Sequence, residues 1–345
     1  MLALLLLISA CNRNGPLLTD QPVDQISQAI NDKIPELVNK FKITGVSVGV
    51  IREGQLSIVK SFGFSNTASK KKLDGSTVFR AASLGKPVFA YIVATLADQG
   101  VLNLDRPLID YLEERVIGND DRSLLITARM VLSHTTGLPN LNVEANEYKF
   151  HFTPGTDFKY SGYGYLHLQK VIEKLSGRSL QQLASQLVFT PLGMVNSSFV
   201  WRPNYIDNLA SSYDPKGKAY PIGKLPMAGF SAWSLYTTLK DYLMFVSHIL
   251  ETAEDADSVA STLLTPEISV AEGVAWGLGW GLQETTPHSS FWHWGSLAGY
   301  RHFVVGYPKE KIAVIVMSNN ERAFKITDEV MSLAIGGDYP AYDWF

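Results

Sequence analysis

Strand-like segments stand at both ends of this 345-residue chain and are scarce in its middle. GVSVGVIR (45–52) and QLSIVKSFGF (55–64) come first, separated by Glu53-Gly54, a hairpin signal. AWGLGWGL (275–282), YRHFVVGY (300–307) and KIAVIVMSN (311–319) come last, with Pro308-Lys309-Glu310 as a turn. Between them, roughly residues 87–240 read as helical runs and long polar loops. Strands at both ends with helices between imply one sheet assembled from distant parts of the chain around a helical insert. Apolar spacing at Ile26, Ile30, Ile34, Leu37, Val38 and Phe41 predicts an opening helix, bent or interrupted by Pro35, and a last helix is expected over 323–334. The length suffices for one large or two intimate domains with a sizeable core.

Composition excludes several function classes. A formal net charge of -3 gives no electrostatic reason to expect nucleic acid. The seven histidines include no H-E-x-x-H pair and the single cysteine cannot build a thiolate site, so no metal centre is expected; no G-x-x-x-x-G-K-[ST] occurs and the glycines of GVAWGLGWGL do not open a helix, so no nucleotide cofactor is expected either. The lone Cys11 closes Ile8-Ser9-Ala10-Cys11, which resembles the bacterial lipobox, after an apolar run too short to span a bilayer. Residues 1–11 are therefore expected to be a lipoprotein-type signal ending at an acylated Cys11, and residues 12–22 a tether of up to about 36 Å when fully extended. That predicts a cell-envelope location on the periplasmic or extracellular side, with membrane contact through the N-terminal lipid alone.

Three S-x-x-K patterns occur, and local structure separates them. Ser57 and Lys60 lie in an alternating run, where i and i+3 point to opposite faces of a strand. Ser69 and Lys72 belong to a basic stretch beside Asp74-Gly75, a solvated loop. Ser83 is followed by apolar residues at Val88, Ile92, Val93 and Leu96, a helical spacing that ends near Gly100. On a helix, Lys86 can reach the Ser83 hydroxyl, and Pro87 requires that the helix has only just begun. Ser83 thus sits at a helix N-terminus, where free N–H groups favour developing negative charge. The Ser-His-Asp signature G-x-S-x-G is absent; Gly229-Phe230-Ser231-Ala232-Trp233 fails at its last position.

Ser83-Leu84-Gly85-Lys86, Tyr160-Ser161-Gly162 and His293-Trp294-Gly295 resemble, in order and approximate spacing, the three motifs of the serine β-lactamase and penicillin-binding-protein superfamily. The likeness is closest to class C β-lactamase-related hydrolases, with their DD-peptidases and esterases, and covers roughly residues 24–335. LSHTTGLP at 132–139, LDRPLIDYL at 104–112 and TPLGM at 190–194 look like that group's framework. The resemblance implies an α/β (α+β) fold: an antiparallel sheet flanked by helices with an inserted, mainly helical subdomain. Residues 23–345 would form one catalytic domain, its α/β part about 23–86 and 241–345 and its helical part about 87–240, expected to act as a monomer without nucleic acid.

By that resemblance Ser83 would be acylated, Tyr160 and Lys86 would handle its proton, and the backbone N–H groups of Ser83 and Ser296 would form an oxyanion hole. Which of Tyr160 and Lys86 is the base stays open at this stage, the premise being that an adjacent cation favours the phenolate. Substrate binding would fall to His293, Trp294, Gly295 and Gly162: His293 attracting a carboxylate when protonated, and Gly295 admitting substrate close to its strand. Gly162 replaces the asparagine usual in the second motif, which removes two donors and an acceptor. Trp292, Trp294, Tyr163 and Tyr300 are expected to wall an apolar cleft, and His134 to fix a loop without taking part in chemistry. The expected substrate is a small or peptidoglycan-derived ester, amide or β-lactam. Esterase, D-Ala-D-Ala peptidase or β-lactamase, and slowly acylated penicillin sensor are the competing readings.

Overall fold

The computed structural model describes residues 16–344 apart from 142, 224, 285–287 and 338, so the Cys11 expectation lies outside the described residues. The chain opens with helix α1 (Val23–Lys40) and strands β1 (Gly45–Arg52), β2 (Gln55–Asn66), β3 (Lys71–Lys72) and β4 (Val78–Ala82). Helices α2 (Gly85–Asp98), α3 (Ile109–Leu112), α4 (Ala128–Leu132), α5 (Gly162–Ser176) and α6 (Leu180–Ala184) follow, joined by long loops and single turns. Then come β5 (Leu235–Thr238), α7 (Leu239–Thr252), α8 (Val259–Leu263), β6 (Ile268–Ala271), β7 (Val274–Trp276), β8 (Gly281–Glu284), β9 (Ser289–Leu297), β10 (Tyr300–Tyr307) and β11 (Ile312–Ser318). Helices α9 (Phe324–Ile335) and α10 (Pro340–Trp344) end the chain.

Nine strands form one antiparallel sheet in the order β3-β2-β1-β11-β10-β9-β8-β7-β6, so the first and last strand groups meet where β1 pairs with β11. The register Val48↔Val316 explains why both runs are so apolar. Alternate side chains of β11 serve two cores, Val314 and Val316 packing with α1 and α9, and Ile315 and Met317 with α2, α7 and the helical region. Glu53 and Gly54 both have positive φ, as a tight hairpin turn between β1 and β2 requires.

Four details depart from the sequence reading. Pro35 does not interrupt α1: it lies on the exposed face, where water can take the carbonyl left over by its missing N–H, while Ile26, Ile30, Ile34 and Leu37 stay buried. AWGLGWGL is a hairpin and not one strand, because Gly279 takes φ +81° and the Gly277 N–H donates to the Trp280 carbonyl (2.9 Å). Strands β4 and β5 form a separate two-stranded ribbon, Phe79 opposite Thr237, which carries the chain into α2 and α7. Lys71 and Lys72 of the basic stretch add a short edge strand.

Candidate active site

Strand β4 ends at Ala82, whose φ of +52° is rare for a side-chain-bearing residue and turns the chain sharply into α2. Ser83 stands in that turn, and the Lys86 N–H donates to its carbonyl (2.9 Å). The first turns of α2 are apolar and buried nearly all round, from Gly85 to Ala90, so Lys86 is drawn inside with them and keeps 2% exposure. Its ammonium donates to Ser83 Oγ (3.1 Å) and to the Ala232 carbonyl (2.8 Å). Among the described residues no carboxylate pairs with it. Burial without a counter-charge pushes the Lys86 pKa down to about 7.

Tyr160 arrives from the loop before α5, with its ring 4.8 Å from Lys86 Nζ. His134 and Trp294 clamp that ring at centroid distances of 4.3 and 4.9 Å. The residue lines the cavity and is only partly buried, but its hydroxyl is buried and among the described residues has no hydrogen-bond partner. Its burial therefore governs, raising the phenol's pKa well above its ordinary value, while the nearby Ser83 hydroxyl pulls weakly the other way at a geometry short of a formed hydrogen bond. This reverses the expectation that Lys86 would favour a phenolate, because desolvation acts on both groups and favours the neutral form of each.

His134 does more than fix a loop. It sits at φ +59°, fully buried, and its Nδ1 accepts the Ser161 N–H (3.1 Å), which seats the residue after Tyr160. The Ser161 hydroxyl in turn caps α5 by accepting the Gly164 N–H. Burial, and then the charge of Lys86, lowers the His134 pKa, so the ring is neutral.

These groups lie in a cavity of about 510 Å³, with Ser83, Lys86 and Tyr160 on its floor. Its walls are Asn140, Leu141, Leu166, Phe230, Trp233, Ser296 and Leu297. Ser296 follows the third motif on β9. The two-residue turn at 298–299 makes Leu297 and Tyr300 the narrow pair with β10, so strand alternation points the Ser296 N–H away from β10. A wider hollow of about 630 Å³ beside Asp105 and Arg129 lies elsewhere, its Arg129 already paired with Asp105 and Glu267 at 2.6 Å each.

Four expected substrate contacts fall outside the cavity lining. His293 is fully buried, donates from Nδ1 to the Trp294 carbonyl (2.7 Å), and has its pKa lowered to about 3 by desolvation and by Lys86, so it carries no charge to attract a carboxylate. Trp294 packs on Tyr160. A Cβ on Gly295 would lie 2.4 Å from the Ala81 carbonyl, so this glycine admits β4 and not substrate. Gly162 is covered by Asn140, whose Oδ1 accepts the Gly162 and Leu141 N–H groups at 3.0 and 2.9 Å. The expected aromatic wall is also different: Trp292 and Tyr300 are core, and Tyr163 packs under the surface with its hydroxyl on the Val116 carbonyl (3.3 Å).

Sequence reasoning missed Asn140, Phe230 and Trp233, and the carbonyl of Ala232. Anchoring Oδ1 fixes the orientation of the Asn140 amide, and among the described residues its Nδ2 donors have no partner at the cavity wall. Phe230 and Trp233 stack at 5.0 Å in the very segment that failed as a nucleophile elbow. Its crowding of aromatic and small residues was the available signal. Among the described residues, no group of three or more His, Cys, Asp or Glu side chains could hold a metal ion.

The Beta-lactamase family matches residues 30–330. The chain belongs to that family of β-lactamase-type serine hydrolases. It is 23% identical over 317 residues to Protein flp of Staphylococcus aureus (strain MRSA252), covering 85% of this chain and 62% of that one. It is also 23% identical over 319 residues to Penicillin-binding protein 4* of Bacillus subtilis (strain 168), covering 81% and 69%. The chain thus spans less than two thirds of the length of the flp relatives. Its fold is similar to the octameric penicillin-binding protein homologue from Pyrococcus abyssi, at TM-score 0.78 and 22% identity over 92% of this chain and 78% of that one. D-alanine carboxypeptidase AmpC from Burkholderia cenocepacia matches at TM-score 0.79 and 19% identity, over 91% and 99%.

Proposed function

We propose that this protein is a serine hydrolase that works through an acyl-enzyme on Ser83 and acts on esters with a short apolar acyl group. One observation carries the reading: a buried lysine with a pKa near 7 lies 3.1 Å from a serine hydroxyl on the floor of an open cavity. A pKa near the working pH suits a general base. Neutral Lys86 takes the Ser83 proton as Oγ forms a bond to the substrate carbonyl carbon, and the carbonyl oxygen becomes the oxyanion between the Ser83 and Ser296 N–H groups. The leaving-group bond then breaks, its oxygen taking a proton from Tyr160, whose own proton is replaced from Lys86. Water next gives a proton to Lys86 and attacks the acyl carbon, the bond to Oγ breaks, and Ser83 recovers its hydrogen. The stacked Phe230 and Trp233 with Leu141, Leu166 and Leu297 support an apolar acyl group.

A second reading, a carboxypeptidase acting on D-alanyl peptides, is favoured by the Asn140 amide, which brings donors into the cavity where Gly162 brings none. Both readings are tested by incubating the protein with a penicillin, p-nitrophenyl butyrate or an N-acylated D-alanyl-D-alanine peptide, with intact-mass and turnover measurements. An ester-derived mass shift that is absent in Ser83→Ala, and ester turnover faster than nitrocefin or peptide turnover, is the expected result. Faster peptide turnover would select the second reading. No adduct with any of the three would refute both.

A further inference from the structure

Arg80 lies on β4, three residues before Ser83, which in extended chain is at most about 11 Å away. It is partly buried, and among the described residues its guanidinium has neither hydrogen bond nor ion pair. Five N–H donors left unused in a partly buried place are unusual for arginine. Arg80 lines a second cavity, of about 240 Å³, with Ser211, Ser212, Tyr220, Ala298 and Tyr300. The turn after β9 divides it from the catalytic cavity, since Leu297 lines the first and Ala298 the second. Glu321, the carboxylate that binds Tyr220 at this rim, is taken: it accepts from Tyr220 Oη and from the Gly299 N–H (3.1 Å each) and lies 3.8 Å from Arg301. Arg80 stands opposite Tyr236 in the β4–β5 register and shares its cavity with Tyr300, which sets it beside both phenols.

We propose that the Arg80 cavity is an anion subsite, which binds a carboxylate on the substrate arm that passes over the 297–298 turn. Resting on the acyl-transfer reading for Ser83, it extends the substrate class to esters or amides that carry a free carboxylate. A guanidinium suits the task because it presents two parallel donors to a planar carboxylate and cannot lose its charge. With His293 neutral and buried, Arg80 takes over the role expected of that histidine.

Binding can be read without catalysis. In Ser83→Ala protein, calorimetry with glutarate and with uncharged glutaramide should show saturable glutarate binding at least about tenfold tighter, as for a hydrogen-bonded charge. Arg80→Gln in the same background should remove that preference, and Arg80→Lys should keep part of it. In the wild-type protein, glutarate should also protect Arg80 from phenylglyoxal, followed by peptide mass spectrometry, a readout that stands even where the glutamine variant does not fold. Equal binding of glutarate and glutaramide, a preference undiminished in folded Arg80→Gln, or modification of Arg80 unaffected by glutarate would each overturn the subsite. Absence of ester hydrolysis with glutarate binding intact would instead defeat the catalytic reading and leave the subsite standing.

Discussion

The floor and the walls of the Ser83 cavity differ in how tightly they are held. On the floor, Lys86 is almost wholly inaccessible, Tyr160 is clamped between two rings, and His134 behind it is buried and tied to Ser161. The walls come mostly from loops and a hairpin end: Asn140 is exposed, Phe230 and Trp233 are half-buried, and Leu297 closes β9. Burial on the floor shifts proton affinities, and exposure on the walls leaves room for substrate. Floor residues should therefore govern the rate of the chemical step, and wall residues the choice of substrate.

Substitution of the floor gives the largest expected effects. Ser83→Ala should abolish turnover and the acyl adduct, Lys86→Met should lower kcat by at least about 10²-fold, and Tyr160→Phe by about the same, with KM little changed. Steady-state kinetics on folded variants checks this, and near-wild-type turnover of Tyr160→Phe would break the distinction.

Next in size is the dependence on pH. With the neutral Lys86 amine as the proposed base, kcat/KM should rise about tenfold per pH unit below about 7 and level off above it, following the depressed Lys86 pKa. Folding stability should show the same group. Between about 7 and the ordinary lysine value of 10.5, the unfolded chain holds a proton that the folded chain lacks, so this contribution makes stability rise with pH. Denaturant titrations should find that slope reduced in Lys86→Met.

The smallest effects sharpen the contrast. Trp233→Ala and Asn140→Ala should each change kcat/KM by roughly 3- to 30-fold, mostly through KM, in a manner that depends on the acyl group. His293→Ala, which empties a buried site, should lower stability by about 1–3 kcal/mol and affect neutral and carboxylate-bearing esters alike. A selective loss on the anionic ester would restore His293 as a binding group and remove the reason for assigning that task to Arg80.

Sequence alone determined whatever depends on near neighbours along the chain. Helical spacing after Ser83 put Lys86 one turn away, and it separated this pair from the matching patterns at Ser57 and Ser69. Apolar runs at both ends likewise implied a shared sheet, which the pairing of Val48 with Val316 realises. Tertiary structure alone decided how much water each group keeps. That is why Lys86 is near neutrality, why Tyr160 holds its proton, and why His293 is an uncharged core residue, for desolvation is set by neighbours from distant segments. The same holds for the cavity lining: Asn140 and Trp233 carry no motif, and only the folding of their loops over Ser83 brings them into contact with substrate space.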